Sequence, residues 1–380
     1  MPEVRRVGIF CQPEYILLNQ IFGFQLAFEA MGIEVVTGYS FLNGGHMARF
    51  IDEFKPDFIL EINRSRNQIP NFDDKIFHIS WVWDHTAHDV DIVNGFGGSD
   101  LNYCFIDAKR LGYDDKVGRW DILLPAVDPL VFFPMGLDPR WDVTAIAHLC
   151  WPLTDADLNA TIKFPGFTTT LREVIAEVEG GGLGYWNADM RVLKEILLRF
   201  IRRRNPVYRP DAGLMGLVGL FSNRVLRLER VSLMHAVLRA TQNVAVFGTG
   251  YWRVEPKLSP HWGGVVTRYS DKNAINNMSS LVFHNGFGMH ERVLEAMAAG
   301  RPVLVSRTPF DDAPGGLNQY FEPGRDFVLY DVETVEDVVR ETLRDRERLR
   351  RIGENARART VAEHTWRQRA EKILRDFHDR

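Results

Sequence analysis

The sequence predicts an α/β protein of two doubly wound, Rossmann-like domains that face each other across a cleft. Two observations carry this expectation. Short runs that are apolar throughout alternate with amphipathic stretches in both halves of the chain, the pattern of parallel strands covered on both faces by helices. The chain of 380 residues also exceeds what one ordinary core accommodates.

The elements follow in order. Residues 7–10 read as a strand. Residues 19–31 place Ile21, Phe24, Leu26, Ala27 and Ala30 at helical spacing and stop at Gly32. Residues 33–36 are the next strand. Residues 47–54 form a helix ended by Lys55-Pro56-Asp57, and 58–61, 76–83 and 101–106 are further strands. Residues 137–210 break the rhythm and read as a helical insertion or connector, with helices over 171–178 and 188–203 around Gly180-Gly181-Gly182. Alternation then resumes. The expected strands are 214–222, 244–247, 265–269, 281–284, 303–306 and 327–330, with helices over 226–241 and 289–299, the latter closed by Gly300 and Pro302. A charged helical tail covers 335–377. The expected units are 1–136, the insertion 137–210, a second domain 211–362 and a closing helix 363–380 returning to the first domain.

Composition narrows the function. Charged residues make up 25% and the formal net charge is −4, so no basic face speaks for nucleic acid. Cys11, Cys104 and Cys150 are too widely spaced for a zinc site or a disulfide framework. Neither a leader-like N-terminus nor a membrane-length apolar run stands out, so a cytoplasmic protein is expected.

The chemistry concentrates after residue 284. Ligands of open α/β sheets bind at the carboxyl ends of strands. There, Asn285-Gly286-Phe287-Gly288 lets backbone approach a ligand, and the helix that follows offers free amides to a diphosphate. Met289, His290 and Arg292 lie at its start, and Glu291 and Glu295 project from one face. A carboxylate one turn beyond a phosphate site suits the hydroxyls of a ribose. The plain alternative is an ordinary strand–turn–helix crossover. Two in-register acids on a short, otherwise apolar helix weigh against it, because a buried acid needs a partner.

Gly286-Phe287-Gly288 followed by Leu294-Glu295-Ala296-Met297-Ala298-Ala299-Gly300-Arg301-Pro302-Val303 resembles the donor-site motif of GT-B glycosyltransferases of the group 1 type. His290-Glu291-Arg292-Val293-Leu294-Glu295 is closer to the spore-maturation-protein (CgeB-like) group among them. The similarity runs over about 214–370 and includes Val246-Phe247-Gly248-Thr249-Gly250-Tyr251-Trp252 and His364-Thr365-Trp366. Lys55-Pro56-Asp57 and Leu124-Pro125-Ala126-Val127-Asp128, with Phe133-Pro134, resemble the pre-strand and hinge segments of such enzymes.

The resemblance implies transfer of a sugar from a nucleoside-diphosphate sugar, a co-substrate rather than a cofactor, to a glycan, lipid-linked or protein acceptor. Glu295 would then hold the donor ribose, and the backbone after Gly288 the diphosphate. Retaining members carry another glutamate eight residues earlier, where this chain has Phe287. The rival readings are a nucleotide-sugar epimerase or hydrolase of the same fold, and a non-catalytic sugar-nucleotide-binding protein.

Other candidates lie outside this motif. Asp84 and His85, in Trp81-Val82-Trp83-Asp84-His85-Thr86-Ala87-His88, follow a strand and are the expected catalytic pair at the acceptor, with a simple helix cap as the alternative. Asp89-Val90-Asp91 and Asp155-Ala156-Asp157 are discounted as metal sites, and a metal-independent reaction is expected. Gly248 marks a turn near the donor. Arg224, Arg227 and Arg230 include a donor phosphate contact or are simply exposed helix arginines. Arg199, Arg202, Arg203 and Arg204 are either a solvated face or a peripheral contact with an anionic membrane or lipid-phosphate acceptor.

Overall fold

The computed structural model describes residues 4–13, 17–70, 72–73, 75–83, 96–108, 118–180 and 190–379. Asp84, His85, His88 and Asp89-Val90-Asp91 lie outside the described residues.

The first domain runs β1 (Arg6–Cys11), α1 (Leu18–Glu29), β2 (Glu34–Gly38), α2 (Gly44–Phe54), β3 (Phe58–Ile62), β4 (Phe77–Val82), β5 (Leu101–Cys104) and β6 (Trp120–Ile122). Its sheet has the order β2-β1-β3-β4-β5-β6, parallel throughout. β3 is buried at every position, as a strand covered on both faces requires. Glu61 is its one charge, held by Arg64 Nε at 2.6 Å and His78 Nε2 at 3.2 Å. Trp81 and Trp83 pack edge to face with ring centroids 4.7 Å apart, and Trp81 Nε1 donates to Leu123 O, so these tryptophans serve the core.

The second sheet begins earlier than the sequence reading places it. Within residues 137–210, β7 (Trp141–Ile146) is an interior strand of the order β11-β10-β7-β12-β13-β14. Its polar residues hide it in the sequence: Thr144 is fully buried with its hydroxyl 2.6 Å from that of Ser279, and Asp142 accepts from Thr241. The rest of that stretch forms α3 (Asp155–Leu158), the hairpin β8 (Thr161–Phe164) and β9 (Phe167–Thr170), α4 (Leu171–Gly180) and α5 (Met190–Arg202). These pack around a separate core that includes Val174, Leu197, Phe200 and Phe221.

α6 (Ala212–Ala240) is one helix of 29 residues, which replaces the strand expected over 214–222. Leu214, Leu217, Val218 and Phe221 are buried at i, i+3, i+4 and i+7, a helical stripe that a short apolar run disguises. Asp211 caps it by accepting from the Leu214 amide. Beyond lie β10 (Val244–Phe247), β11 (Trp262–Gly264), α7 (Tyr269–Asn277), β12 (Ser279–His284), α8 (Glu291–Ala298), β13 (Val303–Ser306) and β14 (Val328–Tyr330). The strand expected over 265–269 is displaced to β11, and Val265, 62% exposed, lies beyond its end.

α9 (Val335–Arg344), α10 (Arg346–Glu363) and α11 (Trp366–His378) close the chain. α11 crosses to the first domain. Trp366, Ala370, Ile373 and Phe377 enter its core, Tyr103 Oη donates to Asp376 at 2.5 Å, and Arg369 Nε donates to Leu124 O at 2.9 Å. The two sheets are thus joined twice, by the 123–140 segment and by α11. Among the described residues no helix is long and apolar enough to cross a membrane.

The α1–α11 contact is close because Gly23 has no side chain. A Cβ there would stand 2.3 Å from the Trp366 ring. Gly23→Ala is therefore expected to lower unfolding stability by about 1–3 kcal/mol, measured by denaturant titration; an unchanged midpoint would show that α11 is not seated there.

Candidate functional site

The second sheet reverses its winding between β7 and β12, with β10 and β11 on one side and β13 and β14 on the other. Such a switch point opens a crevice at the carboxyl ends of the two strands. Ile146, Lys272, Asn276, His284 and Arg292 line the depression there. The sequence motif folds over it, and its parts divide by role.

Gly286 holds φ +114°, open to glycine, while its amide donates to Ser306 Oγ at 3.2 Å. A Cβ on Gly288 would meet Leu317 at 2.8 Å, so the second glycine is a packing requirement. Phe287 gives its carbonyl to His284 Nε2 at 2.9 Å. Its ring lies between Phe310 (5.0 Å) and Phe105 of the first domain (5.5 Å). Phe287 thus forms an aromatic bridge between the domains. The backbone amides of Phe287, Gly288 and Met289 have no hydrogen-bond partner among the described residues. Three successive amides without an internal partner, leading into a helix, are of the kind that binds oxyanions. Met289 itself is core.

His290 is the N-cap of α8, its Nδ1 accepting from the Arg292 amide at 3.2 Å. Burial, then the Arg292 charge, holds His290 well below the usual imidazole pKa and draws His284 to about 3. Both rings are neutral at pH 7 and supply hydrogen bonds rather than charge. The cations are Arg292, whose Nη1 donates to Ile146 O at 2.8 Å, and Lys272, which the sequence reading did not single out.

Glu291 and Glu295 share one side of α8 yet meet different partners. Glu291 is 7% exposed and accepts from Gln20 Nε2 of the first domain at 2.9 Å. Glu295 is 1% exposed. Lys272 Nζ stands 2.5 Å from its Oε2, close enough for an ion pair but poorly aligned for a hydrogen bond. Oε1 of Glu295 therefore has no donor and Oε2 has only the Lys272 contact, which leaves a buried carboxylate with accepting capacity to spare.

Of Arg224, Arg227 and Arg230 on α6, Arg230 is the one that hydrogen-bonds to the motif. Its Nε donates to Asn285 Oδ1 at 3.0 Å and its Nη1 to His148 O, joining the loops after β12 and β7. Arg227 is spent on Cys150 O and Glu255. Arg224 lies nearer the N-terminus of α6, close to Cys150, with its Nε buried and without a hydrogen-bond partner among the described residues. Gly248, at φ +131°, ends β10. A Cβ there would stand 2.1 Å from Ala147 O, so glycine permits the close approach of the segments after β10 and β7.

The remaining candidates sit elsewhere. Asp157 accepts from Thr154 in a capping box at the start of α3, a structural use. Arg199, Arg202, Arg203 and Arg204 are exposed on the inserted unit; Arg203 pairs with Glu177 and Arg204 lies over the Phe200 ring.

Comparisons follow the same lines. Residues 229–375 match a family model described as glycosyl transferase-like. No curated protein matches the sequence. Among solved structures, Anabaena HepE in complex with UDP-glucose is similar at 11% identity, covering 99% of this chain and 100% of that one with a TM-score of 0.55. An alpha-glucosyltransferase in complex with UDP, at 9% identity, covers 98% and 99% with a TM-score of 0.54. Staphylococcus aureus TarM in a complex containing UDP, at 12% identity, covers 87% and 58% with a TM-score of 0.50. The architecture is the GT-B arrangement of two facing Rossmann-like domains.

Asn285 is clamped from both sides, since its Nδ2 also donates to Glu229 Oε1 at 3.4 Å. Burial raises the Glu229 carboxyl from 4.5 to about 7, against smaller lowering by Asn285 and Arg230. With the folded pKa above the free value, the stability this group contributes is complete below pH 4.5 and is lost as pH rises to about 7. Glu229→Gln removes the titration. The variant should therefore gain on the wild type by about 3 kcal/mol at most between those pH values and hold the gain above them. Unfolding titrations across that range check this; a difference independent of pH would contradict it.

Proposed function

We propose that the chain transfers a glycosyl group from a nucleoside-diphosphate sugar, with uridine diphosphate as the nucleotide, to a hydroxyl-bearing glycan, lipid-linked or protein acceptor. The observation that carries this reading is Glu295, a carboxylate 1% exposed whose two oxygens meet only the Lys272 ammonium, on Oε2, one turn beyond three amides without an internal partner. Ribose hydroxyls are donors of the right number for those two oxygens. The diphosphate would lie on the amides of Phe287, Gly288 and Met289. The glycosyl transferase-like match over 229–375 and the UDP in the similar structures support the nucleotide.

The chemistry follows from this placement. An acceptor oxygen attacks the anomeric carbon, the bond to the diphosphate breaks, and negative charge grows on the leaving phosphate. Fixed amides and the cations Lys272 and Arg292, which line the depression there, would face that charge without needing to reorganise. The proposal is metal-independent on this ground: the cationic and dipolar groups suit a diphosphate directly. Asp84 and His85 follow β4 in the sequence and remain the candidates for removing the acceptor proton. The subgroup proposed is the spore-maturation-protein (CgeB-like) one, on His290-Glu291-Arg292-Val293-Leu294-Glu295. A cytoplasmic location belongs to the same reading.

Calorimetry with UDP and UDP-sugars tests it. Glu295→Ala should weaken nucleotide binding about 10–100-fold, the loss of hydrogen bonds to a charged group, with circular dichroism confirming the fold because Lys272 loses its ionic partner. Unchanged affinity would place the ribose elsewhere. Donor consumption without any acceptor would favour the epimerase or hydrolase reading, and binding without turnover the non-catalytic one.

A further inference from the structure

α1 and α8 approach each other across the cleft by their first turns. Gln20 lies near the start of α1, just beyond the carboxyl end of β1, and Glu291 is the first residue of α8. Gln20 is fully buried, and its Nε2 donates to Glu291 Oε2 at 2.9 Å. That bond fixes the orientation of the amide, because only the nitrogen can face a carboxylate acceptor. The opposite atom, Gln20 Oε1, is buried and accepts nothing among the described residues. A buried carbonyl without a donor is uncommon and requires an explanation.

The setting supplies one. Glu291 sits where two helix N-termini meet, a favourable position for its charge, and so is a firm anchor for the Gln20 amide. The amides of 287–289 without an internal partner precede Glu291 in the chain, with His290 between. Phe105 and Phe287 close the neighbouring gap between domains with an apolar contact. A group attached to a diphosphate on those amides and turned toward the first domain would meet Gln20.

We propose that Gln20 is a specificity-determining residue of the first domain: Glu291 holds its amide nitrogen, and its Oε1 accepts a hydrogen bond from a hydroxyl of the sugar carried by the donor. This rests on the donor placement above and adds which domain reads the sugar.

The test compares UDP with whichever of UDP-glucose, UDP-galactose and UDP-N-acetylglucosamine binds the wild type most tightly. Gln20→Ala should weaken the UDP-sugar about tenfold and leave UDP within about twofold, the effect of one hydroxyl left without its acceptor. A donor analogue lacking the hydroxyl concerned should bind wild type and Gln20→Ala alike. Glu291→Ala should reproduce the sugar-selective loss, and adding Gln20→Ala to it should cost little more. An equal loss for UDP and UDP-sugar would make Gln20 a prop of the domain interface and overturn the proposal, as would no loss for either. Failure of the wild type to bind UDP or any UDP-sugar would remove the donor placement itself, a result distinct from both.

Discussion

α8 buries two carboxylates one turn apart between two domains, and the surrounding cleft is arranged to make that tolerable. An ionised carboxyl without a partner in a protein interior is strongly unfavourable. Glu291 is stabilised by its place in the first helical turn and by Gln20 from the opposite domain. Glu295 has only the imperfectly aligned Lys272. The first acid therefore ties the domains together, and the second keeps its hydrogen-bonding capacity in reserve. Their spacing of four residues, which puts them on one side of the helix, does not give them the same work.

The switch point of the second sheet explains why so much polarity gathers here. β7 and β12 end side by side, and their unpaired carbonyls would otherwise face a vacant crevice. Arg292 covers Ile146 O, Arg230 covers His148 O and reaches Asn285, and Trp252 Nε1 covers Ala147 O at 3.0 Å. Side chains that satisfy the sheet's end thus also bring positive charge to it. The neutral state of His284 and His290 follows from the same crowding, since burial and the nearby guanidinium both oppose a further charge.

Much of this was legible in the sequence where the signal is local. Gly286, Gly288, Gly300 and Pro302 punctuate a strand–helix–strand crossover, and the structure forms it there as β12, α8 and β13. Local pattern failed where burial hides polarity. β7 contains Asp142 and Thr144, satisfied by Thr241 and Ser279, and so reads as part of a connector. The apolar run over 214–222 has strand composition but helical periodicity, and the tertiary packing of the inserted unit decides between them. Lys272 and Gln20 carry no local signal at all. Gln20 meets Glu291 across 271 residues of chain, and only the closing of two domains gives it a partner. Arg224 and Arg230 lie on the same long helix, and their register against the sheet, invisible in sequence, selects Arg230 to reach the motif.

The most direct measurement is a crystal structure with UDP bound. It should show both ribose hydroxyls donating to Glu295 and diphosphate oxygens on the amides of Phe287, Gly288 and Met289, with Gln20 still bonded to Glu291. A nucleotide bound elsewhere, with Glu295 facing Lys272 alone, would contradict the central claim that this buried carboxylate is held open for the donor.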